Sequence, residues 1–307
     1  MRASAVEHVV SVGRWYVRYA PGAPGVAALS ARWLNPRLRN HHRCVVTRSR
    51  VGVRFAVDTR DLIQRYVYMF GVWEPHMTCW LRGRLQPGDT FVDVGANVGY
   101  FAFLAARLVG DQGRVVAIEA SPVYHRALLR QAQLNGFTAV RAVNTAISDK
   151  REELTFALAS ARNLGANSVV PYDGPTASTF AIEARPLPEV LLPSEIGAAR
   201  VIKVDVEGAE GKVVRGMEPM FDRLRDDVEI TVEVAPERMA KLGDSSEKLL
   251  DIMAKHGFHA YRLANEYTPE SYVAALSGPA KVPVRLRGPV AGESDLIFSR
   301  VDAEALP

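Results

Sequence analysis

A chain of 307 residues with 48% hydrophobic and 23% charged side chains has an ordinary globular composition, which excludes collagen-like, disordered and disulfide-scaffold classes. Its two cysteines, Cys44 and Cys79, form no framework and no metal-ligand spacing, and no run approaches the roughly 20 apolar residues of a membrane span. The formal charge of +4 is uneven: residues 1–50 carry nine arginines and one acid, Glu7, a formal +8 that leaves −4 for the rest. Such a segment is either a solvated or locally paired appendage or an attractor for an anionic partner, and it is a candidate oligomer contact. Arginine outnumbers lysine 31 to 7 over the whole chain, so arginine content alone carries no recognition argument. Glu7, His8 and Arg14 stand where a secretory leader needs an apolar run, so the expected location is the cytoplasm.

In chain order, residues 5–19 predict a short helix bearing Val9, Val12, Trp15, Tyr16 and Tyr19, and breaks follow at Pro21-Gly22 and Asn35-Pro36. Over 44–57, Val51, Val53, Phe55 and Val57 alternate with small or polar residues as in a half-buried strand. Residues 60–70 read as a helix, and Glu74-Pro75 opens another that ends near Arg84. The expected divisions are a basic extension over 1–50, a lead-in covering the site over 51–88, and a main domain over 89–307 that begins after the turn Gln86-Pro87-Gly88-Asp89. From there strands and helices alternate. TFVDVG, RVVAIEA, AVRAVNTAI, ARVIKVDVEG, DVEITVEVAP, HAYRL and SDLIFSR are strands, and an antiparallel insertion is expected over 152–184, around a polar loop with Asn163, Gly165, Asn167 and Ser168. Helices fill 100–110, 121–137, 209–222 and 245–256, with Ser121 as N-cap and Pro122 at the first position of the second. This pattern predicts a largely parallel sheet with helices on both faces.

The informative segment is Asp93-Val94-Gly95-Ala96-Asn97-Val98-Gly99, which follows an apolar strand and opens a helix. Ligands in open α/β sheets bind beyond the carboxyl ends of the strands, and glycines there let the backbone approach them. A dinucleotide fingerprint needs glycines where this chain has Asn97 and Tyr100, which argues against NAD. Glu119 ends the second strand, twenty residues beyond Gly99, and an acid there can accept from both ribose hydroxyls of an adenosine. Together with Asp93 the constellation points to S-adenosylmethionine. Asp93 faces the amino group, the loop amides including Ala96 pack with Asn97 around the methionine portion, and Glu119 and the adjoining Ala120 flank the ribose.

FVDVGANVGYFAFLAARLVG, GRVVAIEASP, NTAISD and VIKVDVEGAEGKVVRGM resemble the FkbM family of S-adenosylmethionine-dependent methyltransferases, over about residues 66–300. The Lys-x-Asp-Val-Glu-Gly-Ala-Glu box is the most specific element. The resemblance implies a Rossmann-like class I methyltransferase fold, seven-stranded with an antiparallel last strand, and usually O-methylation of a hydroxyl. By the same resemblance Asp93, Gly95, Asn97, Gly99, Glu119 and Ser121 fall on cofactor positions, and Ala146 and Ser148 lie near the adenine. Two departures stand out: Glu233-Val234 is followed by Ala235 where many members have His, and a usual Leu-Asp pair is Leu187-Pro188.

An alcohol nucleophile must lose its proton, so a base or a metal within reach is useful. Asp205 and Glu207 end the fourth strand and Glu233 the fifth, so parallel neighbours bring three carboxylates to one rim; Asp205 also counts as a cofactor-site position. One of the three serves as base, or the group holds a divalent cation; the metal-free version is favoured because no histidine is among them. The competing reading is that Asp205 and Glu207 order the turn and pair with Lys203 or an arginine. His76, beside Glu74 and Trp73, is a further catalytic candidate, while Glu210 is expected to serve its helix dipole. The expected partner is a small-molecule hydroxyl acceptor: a sugar, glycolipid or secondary metabolite. A nucleic-acid methyltransferase is the first rival, disfavoured because no Asn-Pro-Pro-Tyr-type box is present. A cofactor-binding protein without turnover is the second.

Overall fold

The computed structural model describes residues 2–159, 167–168 and 176–307. Its strands are β1 (Cys44–Arg48), β2 (Arg54–Asp58), β3 (Thr90–Val94), β4 (Arg114–Ile118), β5 (Val140–Val143), β6 (Ala146–Ile147), β7 (Glu152–Ala159), β8 (Asn167–Ser168), β9 (Thr176–Arg185), β10 (Ala199–Val204), β11 (Glu229–Val234), β12 (His259–Leu263), β13 (Val284–Arg285) and β14 (Ser294–Ser299). Eight of them form the main sheet, in the order β13-β12-β14-β11-β10-β3-β4-β5. The run from β5 to β11 is parallel, whereas β14 lies antiparallel to both β11 and β12. This is the expected Rossmann-like sheet with its antiparallel last strand. It has one strand more than seven, because the two residues of β13 pair with β12 at the edge.

Local sequence explains the central elements. β3 reads Thr-Phe-Val-Asp-Val and is buried throughout, as a parallel strand covered on both faces must be. The Tyr100–Val109 helix is apolar nearly all round and ends at Gly110. The Pro122–Asn135 helix has Pro at its first position and a left-handed Gly136 past its end. Ser121 occupies the N-cap position there, yet its side chain makes no capping bond.

Alternation along the strands sorts the core into two clusters. Val92, Val94, Ile202, Val204, Ile230, Val232 and Leu296 pack on one face. Phe91, Val201 and Ile297 face the other, with Tyr66, Phe70 and Tyr272 from the surrounding helices. Asp93, Lys203, Glu233 and Asp295 alternate in step with this second set, and the register pairs Asp93 with Lys203 and Glu233 with Asp295.

Three expectations need correction. The strand over AVRAVNTAI divides, because the Asn144 amide donates to Glu119 O and Ala120 O at 2.8 and 2.9 Å and interrupts the ladder. Val140–Val143 stays in the main sheet, and Ala146–Ile147 joins a separate sheet of order β6-β9-β7-β8. That sheet is the expected insertion, with β7 antiparallel to β9; Asn163 and Gly165 lie outside the described residues.

The second correction concerns residues 1–50. The first helix spans Arg2–Tyr19 and turns Val10 and Val17 inward, while Val9, Val12, Trp15 and Tyr19 are exposed. Val10, Val17, Val26, Leu34 and Leu38 are buried in the same cluster as Phe55, Tyr66 and Phe70. Arg14 donates to Tyr68 O at 2.8 Å and Arg50 to Phe70 O at 2.8 Å, so these arginines satisfy backbone carbonyls of the following helix. The boundary expected at residue 50 therefore runs through shared core. Third, the helix Pro269–Ser277 has no counterpart in the sequence reading; it carries the buried Tyr272. Among the described residues no helix is long and apolar enough to cross a membrane.

Candidate active site

From β3 the chain winds outward through β4 and β5, then returns to build β10 and β11 on the other side. A cavity of about 390 Å³ opens at this reversal, beyond the carboxyl ends of the strands. Asp93, Gly95, Ala96, Asn97, Glu119, Ala120, Ala146 and Asp205 line it, whereas Gly99, Ser121 and Ser148 do not. Gly99 has φ 84, and an added Cβ would lie 2.3 Å from the Phe103 ring and 2.5 Å from Leu128, so its smallness serves helix packing. Ser148 is fully buried and donates to Glu152 Oε1 at 2.7 Å. Ser121 is fully buried as well, and its backbone N–H donates to Glu119 Oε1 at 2.7 Å.

Glu119 ties this half of the site together. Its other oxygen accepts the Asn97 N–H at 2.8 Å, so one carboxylate orders both the loop after β3 and the turn after β4. Burial pushes its pKa up to about 7, against the pull of the Ser121 and Asn97 amides. Each oxygen keeps a further lone pair for a hydroxyl donor. Gly95 has φ 86, and a Cβ would sit 1.8 Å from Asp205 O, so β3 and β10 touch here through backbone alone. Asp93 is buried with Oδ2 unpartnered among the described residues, and burial pushes it to about 6 while Lys203 pulls it down. Ile147, Leu154 and Phe156 add an apolar wall; Leu154 and Phe156 come from β7, where the alternation in ELTFAL gives no sign of a ligand contact. A buried carboxylate with lone pairs to spare, set beside an apolar strip, fits a nucleoside whose vicinal hydroxyls donate.

Across the cavity lie the expected catalytic carboxylates. Asp205, Glu207 and Glu233 all line it, as neighbouring parallel strands required. Lys203 Nζ sits 2.7 Å from Asp205 Oδ2 and 5.0 Å from the Phe101 ring centre. Burial raises Asp205, but the Lys203 charge, the hydrogen bonds to Glu233 and Lys203 and the Arg238 charge together hold this carboxyl below its ordinary value. Glu233 is driven well above its ordinary value by burial and by the Asp205 charge, and it is hydrogen-bonded to Asp205. Glu207 has φ 57 and pairs with Arg238. Pairing with Lys203 and with an arginine is thus realised at Asp205 and Glu207, within the cavity itself. Glu210 accepts the Gly208 N–H at 2.8 Å and orders the first turn of its helix.

His76 is a correction. It points away from this cavity, into a separate recess, where its Nδ1 accepts the Lys281 N–H at 3.1 Å. His76 thus parts company with its near neighbours: Trp73 and Glu74 line the main cavity, stacked on and bonded to Tyr267. Sequence reading missed Glu74, Tyr267 and Arg238 as site residues, since they lie in segments far apart in the chain. Among the described residues, the group of three donors with ligand atoms all within 4.8 Å is His42, Cys44 and Asp58 on the surface; Asp205, Glu207 and Glu233 do not converge in this way. The divalent cation weighed as the less favoured alternative finds no three-donor cage at the rim.

The Methyltransferase FkbM domain family matches residues 93–260, more than half of the chain. A protein-L-isoaspartate O-methyltransferase of Triticum aestivum is 31% identical over 176 residues, 56% of this chain and 71% of its own length. Among solved structures, the FkbM methyltransferase of Methylobacillus flagellatus is 15% identical, with a TM-score of 0.40 over 77% of this chain and 52% of that one. The precorrin-6y C5,15-methyltransferase of Geobacter metallireducens is 14% identical, with a TM-score of 0.41 over 73% and 85%. The chain belongs to the FkbM methyltransferase family and is an S-adenosylmethionine-dependent methyltransferase.

Proposed function

We propose that the protein methylates a hydroxyl of a small molecule, a sugar, glycolipid or secondary metabolite, in natural-product biosynthesis in the cytoplasm. The observation that carries this reading is the cavity itself: one half offers the Glu119 carboxylate and the Gly95–Asn97 loop, and the other a phenol and several carboxyls within the same space. Bound S-adenosylmethionine supplies an electrophilic methyl group. Glu119 accepts from the ribose hydroxyls, Asp93 faces the amino group, and Ala146 with the β7 wall receives the adenine. Asp205, kept ionised by Lys203, orients the acceptor, while Glu207 is restrained by Arg238. Holding the acceptor oxygen in line with the methyl group accounts for much of the rate.

A metabolite extract incubated with the enzyme and methyl-labelled cofactor, followed by mass spectrometry, identifies the acceptor. A labelled O-methyl product supports the reading; label on nitrogen or carbon rejects it. The nucleic-acid alternative loses ground because Arg14, Arg18 and Arg50 spend their donors on backbone carbonyls inside the fold. Salt-insensitive or absent binding of a generic oligonucleotide is the expected outcome.

A further inference from the structure

We propose that Glu74 is a catalytic residue of this site, the group that takes the proton from the acceptor hydroxyl; the inference rests on the reading of the reaction as O-methylation. Glu74 stands at the N-cap of the Pro75–Arg84 helix, where a side chain ordinarily accepts from the first turn. It makes no such bond. Its backbone is left-handed, with φ 41 and ψ 77, a conformation that residues with a side chain rarely adopt and that concentrates at functional sites. Two contacts hold it there: the Glu74 N–H donates to Tyr272 Oη at 3.0 Å, and its carbonyl accepts the Thr78 N–H at 2.8 Å.

The result is a carboxyl only 3% exposed that turns away from its helix and lines the cavity. Oε1 lies 3.3 Å from Tyr267 Oη, which is equally 3.3 Å from Glu233 Oε1, so one phenol bridges two carboxyls. Oε2 is buried without a partner among the described residues. A buried, unpartnered carboxyl oxygen at a ligand cavity invites a donor, and an acceptor hydroxyl is the donor this reaction brings.

The groups facing Glu74 come from four parts of the chain: Lys203 on β10 with Asp205 just past its end, Glu233 on β11, Asp295 on β14, and Tyr267 in the loop after β12. Burial and the Asp295 charge push Glu74 well above the usual carboxylate range, and Lys203 opposes them. That direction suits a proton acceptor working near neutrality. Asp205 is disfavoured for the role because Lys203 makes it a weak base, and Glu233 because its carboxyl is already engaged by Tyr267 and Asp205, whereas Glu74 Oε2 has no partner among the described residues.

In the step, the acceptor O–H bond breaks, its proton passes to Glu74 Oε2, and its electron pair forms the new O–CH3 bond. The methyl–sulfur bond breaks with its pair left on sulfur, and Glu74 returns its proton to solvent once the ether departs.

The test gives wild type, Glu74→Gln and Glu74→Ala methyl-labelled S-adenosylmethionine and a water–methanol metabolite extract, with cofactor affinity measured by calorimetry. Glu74→Gln should bind the cofactor within about twofold of wild type while label transfer to oxygen falls ~100-fold, the scale of a lost general base. Transfer by wild type should climb with pH and that by Glu74→Gln should stay flat, and added formate should restore part of the Glu74→Ala rate. Label on oxygen at an unreduced rate in Glu74→Gln overturns the role of Glu74 alone. Label on nitrogen or carbon in wild type overturns the hydroxyl reading and the proton acceptor with it.

Discussion

The Lys203 ammonium, on the side of the sheet that faces the cavity, lies 2.7 Å from Asp205 Oδ2, and only 4% of the residue is exposed. It is the cation against which Asp205, Glu74, Asp93 and Glu233 are balanced, and burial, which alone would lower its pKa, is outweighed by these charges. Register sets this up: Lys203 stands beside Asp93 on β3, and two residues further Asp205 leaves the strand on the same side.

Removing the ammonium should therefore disturb both fold and site. Lys203→Met leaves Asp205 unpaired among other acids, and breaking one side of such a pair is expected to cost about 3 kcal/mol. Urea unfolding of Lys203→Met, Asp205→Asn and the double variant measures it. The double variant should recover part of the loss; simple additivity would show that the pair is not coupled.

The ribose contact proposed for Glu119 would tie cofactor binding to pH. Ribose hydroxyls donate, so the ionised carboxylate is the competent form, and its pKa of about 7 means much of it is protonated below neutrality. Affinity for S-adenosylmethionine should rise as pH climbs through 7 and level off above, with a proton released on binding at the acid end. Calorimetry in two buffers of different ionisation enthalpy reads that proton. Glu119→Ala should weaken binding roughly tenfold or more, since a hydrogen bond to a charged group is lost. A pH-independent affinity would remove Glu119 from the ribose.

Two glycines of one loop should fail differently. Gly95→Ala drives a Cβ to 1.8 Å from Asp205 O, so cofactor affinity and stability are expected to fall together. Gly99→Ala meets the Phe103 and Leu128 side chains at 2.3 and 2.5 Å, away from the cavity. Its thermal midpoint should drop while the folded fraction binds cofactor normally. Loss of affinity in a stably folded Gly99→Ala would show that Gly99 belongs to the site.

A protein starting at residue 44 tests how far the basic segment belongs to the core. Val10, Val17, Val26, Leu34 and Leu38 fill one cluster with Phe55, Tyr66 and Phe70, and deleting them exposes that apolar surface. The truncated chain should lose its cooperative thermal transition, seen by calorimetry or circular dichroism. A sharp transition near the full-length midpoint would show a separable appendage.

That Asp93, Gly95, Asn97 and Glu119 come together at one cavity was legible in the chain alone, because their placement is local. Asp93, Gly95 and Asn97 sit within five residues, between an apolar strand and an apolar helix, and Glu119 ends the next strand. A strand–turn–helix that short has few ways to fold, so these residues and the parallel sheet around them follow from propensity and period. The inward face of the first helix did not follow, because Val9, Val12, Trp15 and Tyr19 make as good a stripe by spacing as the buried Val10 and Val17. Only contact with the Leu62–Phe70 helix, where Arg14 reaches Tyr68 O, decides between them. The acceptor half was not legible either, beyond the carboxylates at strand ends. Glu74, Lys203, Glu233 and Tyr267 lie on four separate segments, and the sequence singled out His76 rather than Glu74; the helix start at Pro75 puts His76 in a separate recess and Glu74 in the main cavity. Local sequence determines which backbone a segment prefers; which side chains then share a dry space is decided by strand register and helix packing, because both are set by contacts between residues distant in the chain.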